Sequence, residues 1–405
     1  ATIGQAYPDA DTVPAIEAPT ETWVPDSVVI AEARAPRRPA GGGYLGAYDE
    51  REWMGVPGYL EAIAPLIFGE YTTDLLATQR LAAASTAGGT GALLTFALTT
   101  RATHLGSNGI PPTVMSRPGY SNHEQIWNGM GIGGDDRIIK FDQVDQTTGQ
   151  YNFAGHMAAI KSAPSQAIAL LQTADNPTGM NPSAEQWEAM AKTMARKNMF
   201  ALFDIPYPGF TPKGFAADTD PIRIFMKHGV RLAVAVSFSK IMSQYFGRAG
   251  AIFMPMASKL DALDYTRTFS GAARITYSTP PAQSQLVVRE LLQDDALTEQ
   301  WLLRDLPGYA EVLANRRLTL AKNLSGKVPD QIINVIAAGE GMYFVLPITP
   351  AGVQYLRDVH GVFVIGNGRC NLGSVNTSLI PRVAEGIADV FQNHPEFVML
   401  PARRD

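Results

Sequence analysis

Short apolar runs recur through the middle of the chain: QAIALLQTA (166–174), MFALFDIPY (199–207) and RLAVAVSFS (231–239), rich in Ala, Val, Leu and Phe. Continuous apolar runs of this length predict strands buried on both faces. Between the first two, AEQWEAMAKTMARK sets Trp187, Met190 and Met194 at helical spacing, and Ser183 with Gln186 predicts a capping box at its start. Between the second and third, PIRIFMKHG reads as a helical segment ending at Gly229. Alternation of strand, helix and strand predicts a parallel sheet covered by helices, the α/β class.

The flanking regions follow other patterns. The first fifty residues, rich in Pro, Gly and Ala, read as an irregular arm. Within it Gly41, Gly43 and Gly46 have G-x-G-x-x-G spacing, but PRRPA precedes them and no strand does, so they do not form a dinucleotide site. Leu81 to Thr100 carries no charge; its Ser, Thr and Gly dilute the apolarity of a membrane span, and it reads as a buried helix preceded by a glycine loop. After residue 285 the amphipathic stretches QLVVRELLQ and ALTEQWLLRDLPGYAEVLANRRLTLAKNL predict helices. GMYFVLPI and VFVIG then predict strands, and a closing helix is expected near 381–392, together a second, smaller domain.

Composition narrows the function. A chain of 405 residues accommodates a large domain and a smaller one. A net charge of −5 argues against a nucleic-acid partner, and the pairs Arg37-Arg38 and Arg316-Arg317 are too short for a basic patch and read as solvated surface. One cysteine, Cys370, excludes an internal disulfide and suits a reducing compartment. The opening ATIGQAYPDAD lacks the basic stretch and apolar core of a signal peptide, so a cytoplasmic location without membrane attachment is expected. The histidines at 104, 123, 156, 228, 360 and 394 lack ligand-like spacing, and no metal is expected.

In open parallel α/β sheets, ligands bind at the carboxyl ends of the strands. The first run ends in Asp175-Asn176-Pro177-Thr178-Gly179, the second in Asp204 and Tyr207, the third in Ser237, Ser239 and Lys240. Taken singly, each has a plain structural reading as a turn, a cap or a solvated lysine. At successive strand ends, an amide, a carboxylate, a phenol and an amine meet on one edge of the sheet.

This constellation resembles the class I aminotransferases of pyridoxal-phosphate (PLP) fold type I, in their aspartate and aromatic amino acid branch. The resemblance runs over roughly residues 50 to 390. SFSKIMSQYFGR is similar to the family's cofactor-lysine segment, with NPTG and FDIPYPGF before it in the family's order. GGTGAL (88–93), PGYSNH (118–123), YSTPPA (277–282) and GRCNLGS (368–374) match further landmarks. The resemblance implies an arm with part of the small domain over 1–30, a large PLP-binding domain with a mostly parallel central sheet over 31–308, and a small α/β domain over 309–405.

It also implies roles. Lys240 holds the cofactor's aldehyde as a Schiff base and, once released, shuttles the proton; Asp204 keeps the pyridine nitrogen protonated; Asn176 and Tyr207 hydrogen-bond the phenolic oxygen. The phosphate falls to Gly89 and Thr90 at a helix N-terminus, with Ser237 and Arg248. Tyr120 stacks on the ring, with His123 supporting the pocket beneath it. Arg369 takes the substrate α-carboxylate, and Arg274 a second carboxylate in the neighbouring subunit of a homodimer with shared active sites. The sequence departs from the branch in three places: Trp53 where tyrosine reaches the partner's phosphate, Tyr120 where tryptophan is usual, and Pro206 beside Tyr207. The implied activity is amino-group exchange between an aromatic or aspartate-type L-amino acid and a 2-oxo acid such as 2-oxoglutarate, in ping-pong order. The alternatives are a PLP-dependent lyase, decarboxylase or racemase, or a non-catalytic PLP-binding regulator.

Overall fold

The computed structural model describes residues 23–36, 55–104 and 109–399. Seven strands form the central sheet: β1 Leu81–Ala87, β2 Thr113–Arg117, β3 Ile138–Asp142, β4 Ile168–Gln172, β5 Phe200–Ile205, β6 Arg231–Ser237 and β7 Ala249–Pro255, in the order β1-β7-β6-β5-β4-β2-β3. All pairs are parallel except those of β7, which runs antiparallel to both β1 and β6. The strands read as unbroken apolar runs because both faces are covered. Phe203 and Val234 point into one core with Trp187, Met190 and Phe225, while Leu202 and Ala233 point into the other with Phe96 and Trp127.

The helix Ala184–Arg196 begins at the predicted capping box: the Ser183 hydroxyl accepts from the Gln186 backbone N–H at 3.3 Å, and the Gln186 side chain accepts from the Ser183 N–H at 2.8 Å. Downstream, helices Ala282–Gln293, Asp295–Gln300 and Leu306–Leu324 follow the amphipathic pattern, the last two joined through a π-helical turn at Trp301–Asp305. A second sheet pairs β8 (Tyr343–Val345) antiparallel to β9 (Arg369–Asn371), and helix Ile380–Asn393 closes the fold. The expected domain limits fall inside helices, Asp26–Arg34 for the first and Leu306–Leu324 for the second.

The helix expected at the glycine loop begins at Gly88, and the residues before it, Leu81–Ala87, are a strand whose small residues fit between β7 and helix Lys259–Thr276. Three expectations need correction. Part of the supposed irregular arm is the helix Asp26–Arg34, held where the Ser27 N–H and hydroxyl both donate to Asp305 Oδ2, at 3.0 and 2.5 Å. VFVIG is not a strand. The chain turns after it, Gly368 (φ +80°) donating to the Ile365 carbonyl at 2.8 Å, so that Arg369–Asn371 pairs with β8 instead. Finally, Arg316 and Arg317 are buried. Arg317 donates to the carbonyls of Ile336, Glu340, Gly341 and Tyr343, which take the place of a carboxylate, and burial lowers its guanidinium to about 10. Arg37 and Arg38, like the Gly41–Gly46 segment, lie outside the described residues. Among the described residues no helix is long and apolar enough to cross a membrane.

Candidate active site

Strands β4, β5 and β6 lie side by side and end on the same edge, so the residues after them face one space. Gly89, Thr90, Tyr120, Asn176, Asp204, Ser237, Lys240, Arg248 and Arg369 line a single cavity there, together with Pro206, Tyr245 and Tyr343. Lys240 follows β6 in a turn. Withdrawal from water lowers its amine to about 8, with Arg248 and Arg369 pushing it down further against the pull of Asp204.

Asp204, on β5, is buried. His123 Nε2 lies 2.8 Å and Gln172 Nε2 2.9 Å from it, both on Oδ2. His123 sits on helix Ser121–Gly129 with its ring edge-on to Tyr120 at 5.2 Å, so it braces the tyrosine and the carboxylate together.

Arg369, on β9, donates from Nη1 to Asn176 Oδ1 at 3.1 Å. Its guanidinium lies between two phenol rings, 4.9 Å from the centre of Tyr343 and 5.6 Å from that of Tyr120. Such stacking holds a planar cation in one orientation while its forked N–H groups stay available for a carboxylate.

On the opposite wall, helix Gly88–His104 presents its first turn to the cavity with Gly89 and Thr90. The early N–H groups of a helix lack intrahelical partners and suit an anion. Arg248 reaches the same place, donating to Tyr245 O at 2.7 Å, Ala87 O at 3.2 Å and Ser239 Oγ at 3.3 Å. Gly88 has φ +71°, and a Cβ there would lie 2.3 Å from Arg248 Nη2. Only glycine lets the guanidinium pack this closely.

Two expected residues, Tyr207 and Arg274, do not line this cavity. Tyr207 is fully buried behind the lining, its ring against Phe210 and Tyr343; its hydroxyl has no hydrogen-bond partner among the described residues, and burial pushes the phenol well above 10. Arg274 is exposed in the last turn of helix Lys259–Thr276 and donates to Ser278 Oγ of its own chain. Trp53 lies outside the described residues. Sequence reasoning passed over Gln172, Tyr245 and Tyr343. Gln172 was legible as a polar residue inside an apolar run, and Tyr245 lay within the lysine segment already singled out. Tyr343 looked like one more aromatic position of a buried strand.

The family model for aminotransferase class I and II matches residues 50–387. The aromatic-amino-acid aminotransferase of Escherichia coli is 30% identical over 390 residues, covering 96% of this chain and 92% of its own length. The mitochondrial aspartate aminotransferase of Schizosaccharomyces pombe is 30% identical over 350 residues, 84% of this chain and 76% of its own. Among solved structures, the aromatic-amino-acid aminotransferase of Burkholderia pseudomallei, covalently bound to pyridoxal phosphate, superposes with a TM-score of 0.79 at 27% identity, over 91% of this chain and 89% of its own. Fold and site define a PLP enzyme of fold type I. The chain belongs to the class I and II aminotransferases and is a PLP-dependent transferase.

The residues present fit that cofactor. One cavity holds an amine lowered to about 8 by burial, a braced carboxylate and a helix start with an arginine beside it, while the buried Tyr207 hydroxyl has no partner among the described residues.

Proposed function

We propose that this chain exchanges an amino group between an L-amino acid with an aromatic or aspartate-type side chain and a 2-oxo acid, 2-oxoglutarate, in ping-pong order. The observation that carries this reading is the placing of the Lys240 amine, lowered to about 8, in one cavity with Asp204 and Arg369. Bound there, pyridoxal phosphate supplies an aldehyde that takes up the amino group and a ring that accepts negative charge from the substrate α carbon.

The chain's own groups do the rest. Lys240 Nζ, neutral in part at neutral pH, accepts and returns the proton of the substrate α carbon. Asp204 presents an anion to the ring nitrogen. The Asn176 amide nitrogen and the Tyr207 hydroxyl, which has no partner among the described residues, donate to the phenolic oxygen. Gly89, Thr90, Ser237 and Arg248 hold the phosphate, and Tyr120 covers the ring face. Arg369, fixed between two phenols, grips the substrate α-carboxylate. The working unit in this reading is a homodimer in the cytoplasm. Arg274 from the neighbouring subunit meets an acidic side chain, and Trp53 reaches toward the partner's phosphate. The large and small domains divide at residues 30 and 308.

The test is a half-reaction screen. Holoenzyme mixed with single amino acids should lose its visible band fastest with aromatic or acidic donors, and adding 2-oxoglutarate should restore the band and accumulate glutamate. Release of carbon dioxide or ammonia, or racemised substrate without glutamate, would overturn transamination. A bound cofactor that answers to no amino acid would point to a regulator.

A further inference from the structure

Gln172 is the last residue of β4 and pairs in register with Asp204 of β5. It is 7% exposed, and it is polar at the end of a strand whose preceding residues are apolar. Its Nε2 donates to Asp204 Oδ2 at 2.9 Å while its Oε1 accepts from the Asn176 backbone N–H at 3.3 Å. These partners fix which way the amide points, since only its nitrogen can face a carboxylate and only its oxygen an N–H. With His123 at 2.8 Å, two donors hold Oδ2. The carboxylate cannot turn without breaking two buried bonds, and neither bond occupies Oδ1.

From this we infer that Gln172 is a positioning residue for the cofactor chemistry: it locks the rotation of Asp204 and ties it to the strand end that carries Asn176. The inference rests on the proposed role of Asp204 at the cofactor's ring nitrogen. A glutamine serving packing alone has no need of both ends of its amide, and Leu170 and Leu171 beside it are apolar. Gln172 acts through Asp204, so its loss shows first in the bound cofactor. With one donor fewer, Asp204 draws harder on the ring-nitrogen proton. The ring's positive charge is thereby weakened, and the nitrogen linking cofactor to Lys240 holds its own proton to higher pH.

The test compares Gln172→Met, which keeps the volume, with Gln172→Asn, which keeps an uncharged amide but is one methylene too short to reach both Asp204 and the Asn176 N–H. Each protein is reconstituted with pyridoxal phosphate and its visible absorption titrated against pH, alongside the melting temperature of the cofactor-free protein. In Gln172→Met the midpoint should rise by about half to one unit and the cofactor dissociation constant by roughly tenfold. Should that variant fail to fold, a midpoint raised by about half a unit or more in Gln172→Asn supports the role equally. A lowered melting temperature with the midpoint and affinity of the wild type would overturn the inference and leave a packing residue. Absence of any visible band in the wild-type protein would overturn the proposed function itself, a result distinct from an unmoved midpoint.

Discussion

Replacing Gly88 by alanine tests the phosphate wall with one methyl group. Two penalties can be read from the geometry. The backbone at φ +71° is left-handed, which costs an L-residue with a side chain about 1–2 kcal/mol. The new Cβ would also stand 2.3 Å from Arg248 Nη2 and 2.8 Å from its Cζ, so the guanidinium must move. Moving it breaks the bonds to Ala87 O (3.2 Å) and Tyr245 O (2.7 Å) and withdraws the charge from the phosphate position. A hydrogen bond to a charged group contributes about 1.5–3 kcal/mol, so cofactor affinity should fall by roughly 10- to 150-fold. The assay titrates cofactor-free protein with pyridoxal phosphate at fixed ionic strength, with the melting temperature measured in parallel. In an Arg248→Met background the same glycine change should keep its backbone penalty and lose most of its effect on affinity. Binding within about twofold of wild type in Gly88→Ala, or an equal loss in both backgrounds, would refute the argument.

Three further outcomes follow from the site and its surroundings. Cofactor capture by the cofactor-free protein should rise with pH about a midpoint near 8 instead of 10.5, because the neutral Lys240 amine is the attacking form; a midpoint near 10.5 would contradict the burial argument. Arg369→Lys should keep the bound-cofactor spectrum and raise amino-acid half-saturation by roughly 10- to 100-fold, since an ammonium lacks the planar fork held between the two phenols; unchanged half-saturation would place the α-carboxylate elsewhere. Burial raises Asp218 to about 7 from 3.8. The folded state therefore holds a proton that the unfolded chain has released, and stability should fall as pH rises between those values. Denaturant titrations at pH 5 and 8 should show this loss in wild type and a smaller one in Asp218→Asn; equal losses would refute it.

The centre of the sheet was legible because β4, β5 and β6 are buried on both faces and carry unbroken apolar runs up to the polar residues at their ends. The edge was not. LAAASTA has the small residues of a helix, and what makes it a strand is its distant pairing with β7, a contact that local pattern cannot reveal. VFVIG has strand composition but runs into the turn at Gly368, and the shorter Arg369–Asn371 takes the place beside β8. Arg316 and Arg317 read as solvated because charge predicts exposure, whereas the loop carbonyls that receive Arg317 are visible only in three dimensions. In the site, residues were legible where a strand end delivers a polar group. Gln172 shows in the sequence as a polar residue within its strand, but its part in the site depends on its register with Asp204, which only the sheet reveals.

The lysine and its carboxylate stand on the seven-stranded sheet, while Arg369 and Tyr343 stand on the two-stranded one, and the Arg369–Asn176 bond stitches the two together. Such a split lets substitutions in the two-stranded sheet reshape the surroundings of the arginine without disturbing the lysine and carboxylate on the larger one.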